Sequence, residues 1–233
     1  MQLPETVEIE AGARASASVI WLHGLGADAY DFEPIVPQLD LEGAASVRFV
    51  FPHAPLRGVT INNGMVMRAW YDITSFDRNG PQDESGIRAS AELLRRLIER
   101  EHGRGIEYRR IVVAGFSQGG AIALHAGLRF PHRLAGIMAL STYLPLATTL
   151  SAEVLHERKF EAGALPVFMA HGIFDPVLPF ELGQMSRATL ESTGFDVEWH
   201  EYPMPHAVCP EEIAAIRRWL LAVLGEAGEA MAV

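Results

Sequence analysis

A serine in a glycine-flanked turn is the strongest candidate for chemistry in this chain. Ser117 stands at the centre of Gly115-Phe116-Ser117-Gln118-Gly119, between an apolar run that predicts a strand and a run that predicts a helix. A serine on such a turn projects its hydroxyl above the sheet, while the glycines let neighbouring backbone pack closely around it. The N–H groups that open the helix can stabilise a developing oxyanion, and Gln118 would supply one of them from its backbone. The pattern predicts a serine nucleophile, although three fixed positions in five also recur by chance in a chain with 21 glycines.

A serine hydroxyl needs a histidine to accept its proton, and the order of elements leaves two candidates. In this type of site the serine comes first, then the acid and then the histidine. Of the nine histidines, only His200 and His206 lie beyond a carboxylate that follows Ser117 with a strand between them. His200 falls within the alternating DVEWHEY, where a side chain on a sheet face is the simpler interpretation. His206 lies in YPMPHAVCP, a loop at the carboxyl end of a strand, and is the expected general base.

The expected acid is Asp175, four residues beyond the buried strand of LPVFMAHG. The alternative for this residue is an ordinary Asp-Pro turn. Glu181, Glu191 and Asp196 each occupy a position on a predicted helix or strand that solvent exposure explains. With a serine and a histidine in the required order, the catalytic interpretation of Asp175 is favoured.

A second glycine-rich turn, HGLGADA at residues 23–29, has two interpretations. It matches the G-x-G-x-x-A loop that binds a dinucleotide pyrophosphate, and it also matches a turn that gives one backbone N–H to an oxyanion hole. A dinucleotide site needs an acidic residue at the end of the second strand, but that strand ends Phe51-Pro52-His53. Pro34 and Pro37 are also unfavourable for a long helix after the loop. The hydrolase interpretation is therefore favoured.

Three further histidines and the single cysteine have structural explanations. His23, His53 and His171 each end a predicted strand, but no ligand spacing and no acidic cluster supports a metal site. We expect these histidines to fix loops and expect no bound metal. Cys209 is expected to be a small buried residue and not a nucleophile.

The elements that would position these residues are short apolar strands alternating with amphipathic helices. TVEIE predicts an edge strand, RIVVAGF predicts a central strand, and helices are predicted over 85–101, at about 180–193 and from Pro210. The alternation predicts a mostly parallel α/β sheet with helices on both faces. A single domain is expected over 1–225, with a frayed tail over 226–233.

The long stretch from 54 to 84 is rich in Gly, Asn, Asp and Pro, and we expect a functional loop there. Its apolar side chains suggest the wall of an acyl pocket, with packing on the core as the alternative. The proposed wall residues are Met65, Met67, Trp70 and Ile73.

The charge balance argues against two classes of partner. Nineteen basic and 29 acidic side chains give a formal net charge of −10, and the arginine pairs are scattered along the chain. Nucleic acid and anionic membranes are therefore not expected as partners. Neither a signal peptide nor a transmembrane segment is predicted, and the single cysteine suits a reducing compartment, so the expected location is the cytoplasm.

Several strings along most of the chain together resemble one known family. They are WLHGLGADAYDF, FPHAP with VTINNGMVMRAWYDI, GFSQGGAIAL, LSTYLP, HGIFDPVLP and PMPHAVCPEEI. The sequence resembles the small α/β-hydrolases that include carboxylesterases, lysophospholipases and acyl-protein thioesterases. RAWYDI and the long loop are most similar to the bacterial carboxylesterase branch.

The resemblance implies an α/β-hydrolase fold without a large lid domain and a catalytic triad of Ser117, Asp175 and His206. It also implies an oxyanion hole formed by the backbone N–H groups of Leu25 and Gln118. The implied activity is cofactor-free hydrolysis, through an acyl-enzyme, of small-molecule esters with short to medium acyl chains, and in some relatives of lysophospholipids or thioesters. Alternatives are a main role as an acyl-protein thioesterase, or a non-catalytic acyl-binding relative. Because some relatives are dimers, a homodimer is one assembly to test.

Overall fold

The central sheet contains seven strands within the part of the chain that the computed structural model describes, residues 3–10, 14–41, 46–75, 80–157 and 160–225. The predicted frayed tail, 226–233, lies outside those residues. Together with a separate two-stranded hairpin, these described ranges hold nine strands. They are β1 (Thr6–Glu10), β2 (Ala17–Leu22), β3 (Val47–Pro52), β4 (Leu56–Val59), β5 (Met65–Arg68), β6 (Ile111–Phe116), β7 (Gly136–Leu140), β8 (Val167–Gly172) and β9 (Val197–Tyr202). The α-helices are α1 (Val36–Leu39), α2 (Glu84–Gly103), α3 (Gln118–Arg129), α4 (Leu150–Glu157), α5 (Phe180–Ser192) and α6 (Pro210–Leu224).

The sheet has the order β1-β3-β2-β6-β7-β8-β9, and every neighbouring pair is parallel except β1 with β3. This confirms the predicted edge strand TVEIE and the central position of RIVVAGF. The inner strands β2 and β8 are buried along their whole length, and β6 is buried at every residue except Phe116, as expected for parallel strands covered on both faces. The predicted mostly parallel α/β sheet is therefore confirmed.

Helices cover both faces of the sheet and enclose two apolar layers. One layer packs the sheet against α2, α3, α4 and α5, and includes Leu94, Leu124 and Leu190. The other packs it against α1 and α6, and includes Leu39 and Trp219. None of the described helices combines the length and the apolar composition needed to cross a bilayer.

Strand register brings the candidate residues to one edge of the sheet. Leu22 at the end of β2 pairs with Gly115 near the end of β6, and Gly172 at the end of β8 pairs with Tyr202 at the end of β9. Because these strands are parallel, the loops that follow them leave the sheet at the same edge. Those four loops carry the glycine-rich turn, the candidate serine, the candidate acid and the candidate base.

Two segments contain more regular structure than the sequence predicts. The stretch 54–84, expected to be a loop, includes an antiparallel hairpin of β4 and β5 in which Leu56 pairs with Arg68. The stretch after LSTYLP, for which no helix is predicted above, includes the eight-residue α4. Strands of four residues and a helix of two turns carry too few periodic positions to stand out from a loop. Helix α2 extends the predicted 85–101 by three residues in total, and Asp83 caps it by accepting the N–H of Gly86.

Candidate active site

Ser117 occupies a strained turn between β6 and α3. Its backbone has φ 53° and ψ −121°, a conformation that residues with side chains rarely adopt. Its N–H donates to the carbonyl of Leu140 at 2.8 Å, and its carbonyl accepts from Thr142 Oγ1 at 2.6 Å. Both partners belong to β7 or directly follow it, so the neighbouring strand holds the turn in place. The serine is 9% exposed at the edge of the sheet.

Gly119, the first glycine after the serine, is required by close backbone packing. A methyl group added at Gly119 would lie 2.4 Å from the carbonyl oxygen of Leu22 and 2.6 Å from that of His23. These are backbone atoms of β2 and its exit and cannot move aside. The absence of a side chain at this position therefore lets α3 begin directly against the loop that follows β2.

Asp175 and His206 form a hydrogen bond of 2.6 Å between Oδ2 and Nδ1. The other carboxylate oxygen of Asp175 accepts the backbone N–H groups of Val177 at 2.8 Å and Leu178 at 2.9 Å. These two bonds fix the plane of the carboxylate, whose side chain is fully buried. A carboxylate acceptor at Nδ1 keeps the proton there, which leaves Nε2 of the neutral imidazole free to accept one.

The ring of His206 packs on the residue that precedes the candidate serine. Its centroid lies 4.7 Å from that of Phe116. Among the described residues, no hydrogen bond joins Ser117 Oγ to His206, and in unliganded sites such bonds are often long and tighten only with substrate present. The structure thus brings the three predicted residues to one edge of the sheet, with the acid–base pair already bonded.

A further histidine supports the acid. Nε2 of His171 donates to the carbonyl of Leu178 at 3.0 Å and lies 3.5 Å from Asp175 Oδ2. Burial lowers the pKa of His171 below its ordinary value, which favours the neutral ring. This contact closes the loop that carries Asp175 back onto the end of β8, as expected for a loop-fixing histidine.

The glycine-rich turn after β2 lies directly beside the candidate serine. A methyl group added at Gly24 would be 3.5 Å from the Cβ atom of Ser117. Gly26 has φ 76°, which favours glycine, and its N–H donates to the carbonyl of Arg68 at 2.9 Å. Within the described chain, the backbone N–H groups of Leu25 and Gln118 donate to no acceptor. Both belong to elements that meet at the serine, one from each side.

His23 fixes the start of this turn. Its Nε2 accepts the N–H of Ala54 at 3.0 Å, so the ring proton is on Nδ1, which donates to the carbonyl of Gly24 at 2.7 Å. Burial lowers the pKa of His23 to about 4, and the ring is therefore neutral at pH 7. His53 has a similar role, since its Nδ1 accepts the N–H of Ala29 at 3.2 Å. Among the described residues, no three His, Cys, Asp or Glu side chains are grouped to hold a metal ion.

The four proposed wall residues occupy different environments. Met67 lies next to the glycine-rich turn, where a methyl group on Gly26 would be 3.7 Å from its sulfur. Met65 is 64% exposed on the hairpin, and Ile73 is half-buried against the core. Trp70 is 1% exposed, and its ring packs against His23 with centroids 5.4 Å apart. The structure thus brings Met67 to the candidate site and puts Trp70 in the core.

The environment of the glycine-rich turn does not suit a dinucleotide. The segment after it forms a single turn of 3₁₀ helix followed by α1, which has only four residues. A pyrophosphate site of that kind needs the N-terminus of a long helix directly after the loop. This finding agrees with the preference for a hydrolase.

Sequence reasoning did not identify one participant, the side chain of Gln118. Its amide bonds to two backbone groups of the segment after β5, at Trp70 and Tyr71. The only signal in the sequence is that a polar residue stands where α3 begins and is followed by two glycines. Its partners are far away in the chain and become visible only in the fold.

The chain is similar to known hydrolases over nearly its whole length. A sequence profile of the phospholipase/carboxylesterase family matches residues 4–224. Acyl-protein thioesterase 1 of Mycosarcoma maydis is 40% identical over 229 residues, covering 92% of this chain and 94% of the relative. The protein of the same name from Neurospora crassa is 41% identical over 219 residues, covering 91% and 89%.

Solved structures show the same similarity in three dimensions. Acyl-protein thioesterase 2 of Zea mays superimposes with a TM-score of 0.85 at 28% identity, covering 95% of this chain and 100% of that one. SOBER1 of Arabidopsis thaliana superimposes with a TM-score of 0.81 at 30% identity, covering 89% and 99%. The order and direction of the strands are therefore those of a fold already seen in acyl-protein thioesterases.

Proposed function

The chain belongs to the phospholipase/carboxylesterase family, and on that premise we propose that it hydrolyses acyl esters and thioesters through an acyl-enzyme formed on Ser117. In this proposal His206 is the general base and Asp175 orients it. The backbone N–H groups of Leu25 and Gln118 form the oxyanion hole. The reaction uses no cofactor.

In the first half-reaction, Oγ of Ser117 attacks the carbonyl carbon of the substrate while Nε2 of His206 takes the hydroxyl proton. The carbonyl oxygen becomes an oxyanion between the two backbone donors. The bond to the leaving group then breaks, and the imidazolium returns its proton to the departing alkoxide or thiolate. The carboxylate of Asp175 stabilises the imidazolium and keeps Nε2 directed at the serine.

In the second half-reaction, a water molecule attacks the acyl carbon as His206 accepts one of its protons. The tetrahedral intermediate again places its oxyanion between Leu25 and Gln118. Collapse breaks the bond to Oγ of Ser117, which regains a proton from the imidazolium, and the carboxylic acid leaves.

The observation that carries this proposal is the 2.6 Å hydrogen bond between Asp175 and His206. It joins an acid and a base that stand in the required chain order after a serine with φ 53°. A structural Asp-Pro turn does not need a histidine at its second carboxylate oxygen. A non-catalytic acyl-binding protein would have no use for this pair beside a strained serine.

The test is labelling with a fluorophosphonate probe, together with hydrolysis of p-nitrophenyl butyrate. Wild-type protein should be labelled and active, and Ser117→Ala should be neither. Labelling and turnover that persist in Ser117→Ala would overturn the assignment of the nucleophile. A wild-type protein without labelling or turnover on esters or thioesters would instead support an acyl-binding role.

A main role as an acyl-protein thioesterase is the second candidate, and the names of the two fungal relatives favour it. An octanoyl thioester and an octanoyl oxygen ester with leaving groups of similar size would separate the two activities. A thioesterase should show the higher kcat/KM on the thioester after correction for the uncatalysed rates. An S-acylated peptide would then test whether a protein substrate is accepted.

The acyl chain is proposed to lie along the glycine-rich turn and hairpin β4–β5, with Met65, Met67 and Ile73 on its wall. Met67 gives this proposal its main support, because its sulfur lies close to Gly26 and its side chain is half-buried. Short to medium acyl chains are proposed as substrates, because the partly exposed hairpin would cover only part of a longer chain. The sequence also suggests Trp70 for this wall, but its burial in the core suits a supporting role behind the glycine-rich turn.

A homodimer and a cytoplasmic location complete the proposal. Hairpin β4–β5 exposes Leu56, Met65 and Val66, which is apolar surface that a second copy could cover. Sedimentation velocity at micromolar concentration distinguishes a monomer from a dimer. The single free cysteine, Cys209, suits a reducing compartment, and cell fractionation would test that location.

A further inference from the structure

The side chain of Gln118 connects the candidate serine turn to the segment after β5. Its Oε1 accepts the backbone N–H of Trp70 at 2.7 Å, and its Nε2 donates to the carbonyl of Tyr71 at 2.8 Å. The amide thus satisfies one backbone donor and one backbone acceptor of a segment that belongs to neither sheet. Gln118 is 2% exposed, so water does not compete for these bonds.

The indole of Trp70 continues the connection to the glycine-rich turn. Its Nε1 donates to the backbone carbonyl of His23 at 2.9 Å, and its ring packs on the imidazole. The backbone carbonyl of Trp70 accepts a hydrogen bond from the hydroxyl of Ser90, which fixes the tryptophan to α2. An indole N–H and a rigid ring hold a carbonyl in one position better than a flexible side chain can.

Two further bonds define the position of the turn itself. The ring of His23 donates to the carbonyl of Gly24 and accepts from Ala54, so it holds the peptide directly before Leu25. On the far side of Leu25, the N–H of Gly26 donates to the carbonyl of Arg68. The second anchor ends at Arg68, directly before the segment that contains Trp70, and the first ends at Ala54, just before β4.

We propose that Gln118, Trp70 and His23 form a buried strut that sets the separation of the two oxyanion donors. In this strut Trp70 and the side chain of Gln118 are positioning residues, because neither side chain touches the reacting atoms. One donor is the backbone N–H of Gln118, and the side chain of the same residue forms one end of the strut. The other donor, the N–H of Leu25, belongs to the peptide whose carbonyl, that of Gly24, the ring of His23 holds.

The strut rests on the proposed function, because it gives a role to buried bonds around an oxyanion hole. Donors stabilise an oxyanion only when they are about 2.7–3.1 Å from it, and a shift of 1 Å can reduce a rate by about 10². The pairing of β2 with β6 ends at Leu22 and Gly115, before either donor is reached. Beyond that point, contacts between loops must hold the two N–H groups at a fixed spacing.

The test compares two tryptophan-to-phenylalanine variants. Trp70→Phe removes the indole N–H and leaves the carbonyl of His23 without its donor. Trp21→Phe is the matched control, because Trp21 is also 1% exposed but its indole nitrogen has no hydrogen-bond partner among the described residues. Both variants remove the same volume from the core, so a difference between them reports the lost bond.

We expect Trp70→Phe to lower kcat about tenfold to a hundredfold, with KM within about twofold of wild type. This is less than the 10²–10³ expected for removing an oxyanion donor outright. The affinity for an octyl trifluoromethyl ketone, which forms an oxyanion on the serine, should fall by a similar factor. The affinity for 1-octanol, which has a similar chain but carries no negative oxygen, should not change, and Trp21→Phe should alter neither affinity.

Gln118→Met is the second variant, since it keeps the backbone donor and the side-chain length but removes both side-chain bonds. It should reproduce the selective loss for the trifluoromethyl ketone if Trp70→Phe proves too unstable to measure. Equal effects on the ketone and on 1-octanol, or equal effects of Trp70→Phe and Trp21→Phe, would overturn the strut. Failure of the proposed function is a separate result, because wild-type protein would then lack Ser117-dependent labelling.

Discussion

The two carboxylate oxygens of Asp175 have different partners, and one of these partners is the imidazole of His206. Oδ2 accepts from Nδ1 of His206 at 2.6 Å, while Oδ1 accepts two backbone N–H groups of its own loop. Because the loop fixes the carboxylate, the direction of the imidazole follows from the backbone around residue 175. The orientation of the candidate base is thus set by a turn that contains no other reactive group.

Asp175→Asn should therefore inactivate the enzyme without unfolding it. The amide can keep its oxygen on the two backbone donors, and its NH₂ group would then donate to Nδ1 of His206. That bond moves the ring proton to Nε2, where it prevents proton uptake from the serine. We expect kcat to fall by about 10⁴, with KM within about twofold. Steady-state hydrolysis measures this, with the exposed Asp196→Asn as control, and retention of more than a tenth of the activity would contradict it.

Two glycine-to-alanine substitutions should change stability in opposite directions. Gly119→Ala forces a methyl group to within 2.4 Å of a backbone oxygen of β2, and we expect a loss of about 1–3 kcal/mol or more. Gly103→Ala, in the last turn of α2, meets no atom within 4 Å and should gain about 0.5–1 kcal/mol through helix propensity. Urea unfolding of both variants measures the two changes. Stabilisation by Gly119→Ala would mean that α3 does not begin against β2.

Met67→Ala should change the preference for acyl-chain length. If Met67 lines the acyl groove, its truncation removes contact with the distal methylenes of the chain, each of which contributes about 0.8 kcal/mol when fully buried. We expect kcat/KM for an octanoyl ester to fall about tenfold more than for an acetyl ester. Leu56→Ala, which truncates an exposed residue of the neighbouring strand, is the control. Parallel losses on both esters would place the groove elsewhere.

Glu212→Gln should remove a dependence of stability on pH. Glu212 is buried in the first turn of α6, and burial raises its pKa to about 8 from an ordinary 4.5. Between these values the unfolded chain releases a proton that the folded chain retains. The free energy of unfolding therefore falls by about 1.4 kcal/mol per pH unit across that window and levels off above pH 8.

Urea unfolding at several pH values between 5 and 9 compares Glu212→Gln with the wild-type protein. The free energy of unfolding of Glu212→Gln should fall less steeply with pH. The stability of the variant relative to wild type should therefore increase up to about pH 8. Glu211→Gln is the control, because Glu211 is the exposed neighbour in the same turn. If the slopes of wild type and Glu212→Gln are the same, the carboxyl group is ionised in the folded protein at neutral pH.

The elements with strong periodicity could be predicted from the sequence. Ile87, Leu94 and Ile98 recur at helical spacing, and all three are buried along α2. The continuous apolar run of IVVAGF is typical of a strand covered on both faces, and it forms β6 in the middle of the sheet. Once parallel strands are expected, the residues just beyond their carboxyl ends must share an edge, and this brought Ser117, Asp175 and His206 into one hypothesis.

Contacts between distant loops could not be predicted in the same way. Trp70 stands in an apolar run, and hydrophobicity alone cannot distinguish the wall of a pocket from a buried support. The difference depends on where its indole N–H points, which depends in turn on His23, a residue 47 positions earlier. Glu212 presents a similar problem, since a glutamate in the first turn of a helix is usually solvent-exposed. Its burial follows from how α6 packs on the sheet.

The conformation of Ser117 places activity and stability in opposition at a single residue. A backbone with φ 53° and ψ −121° costs a residue with a Cβ atom on the order of 1–3 kcal/mol, and glycine could adopt it almost without strain. Glycine carries no hydroxyl, so relief of the strain and loss of the nucleophile would come together. Substitutions that raise thermal stability should therefore be sought outside this turn, because replacing Ser117 by glycine would stabilise the fold and abolish the activity.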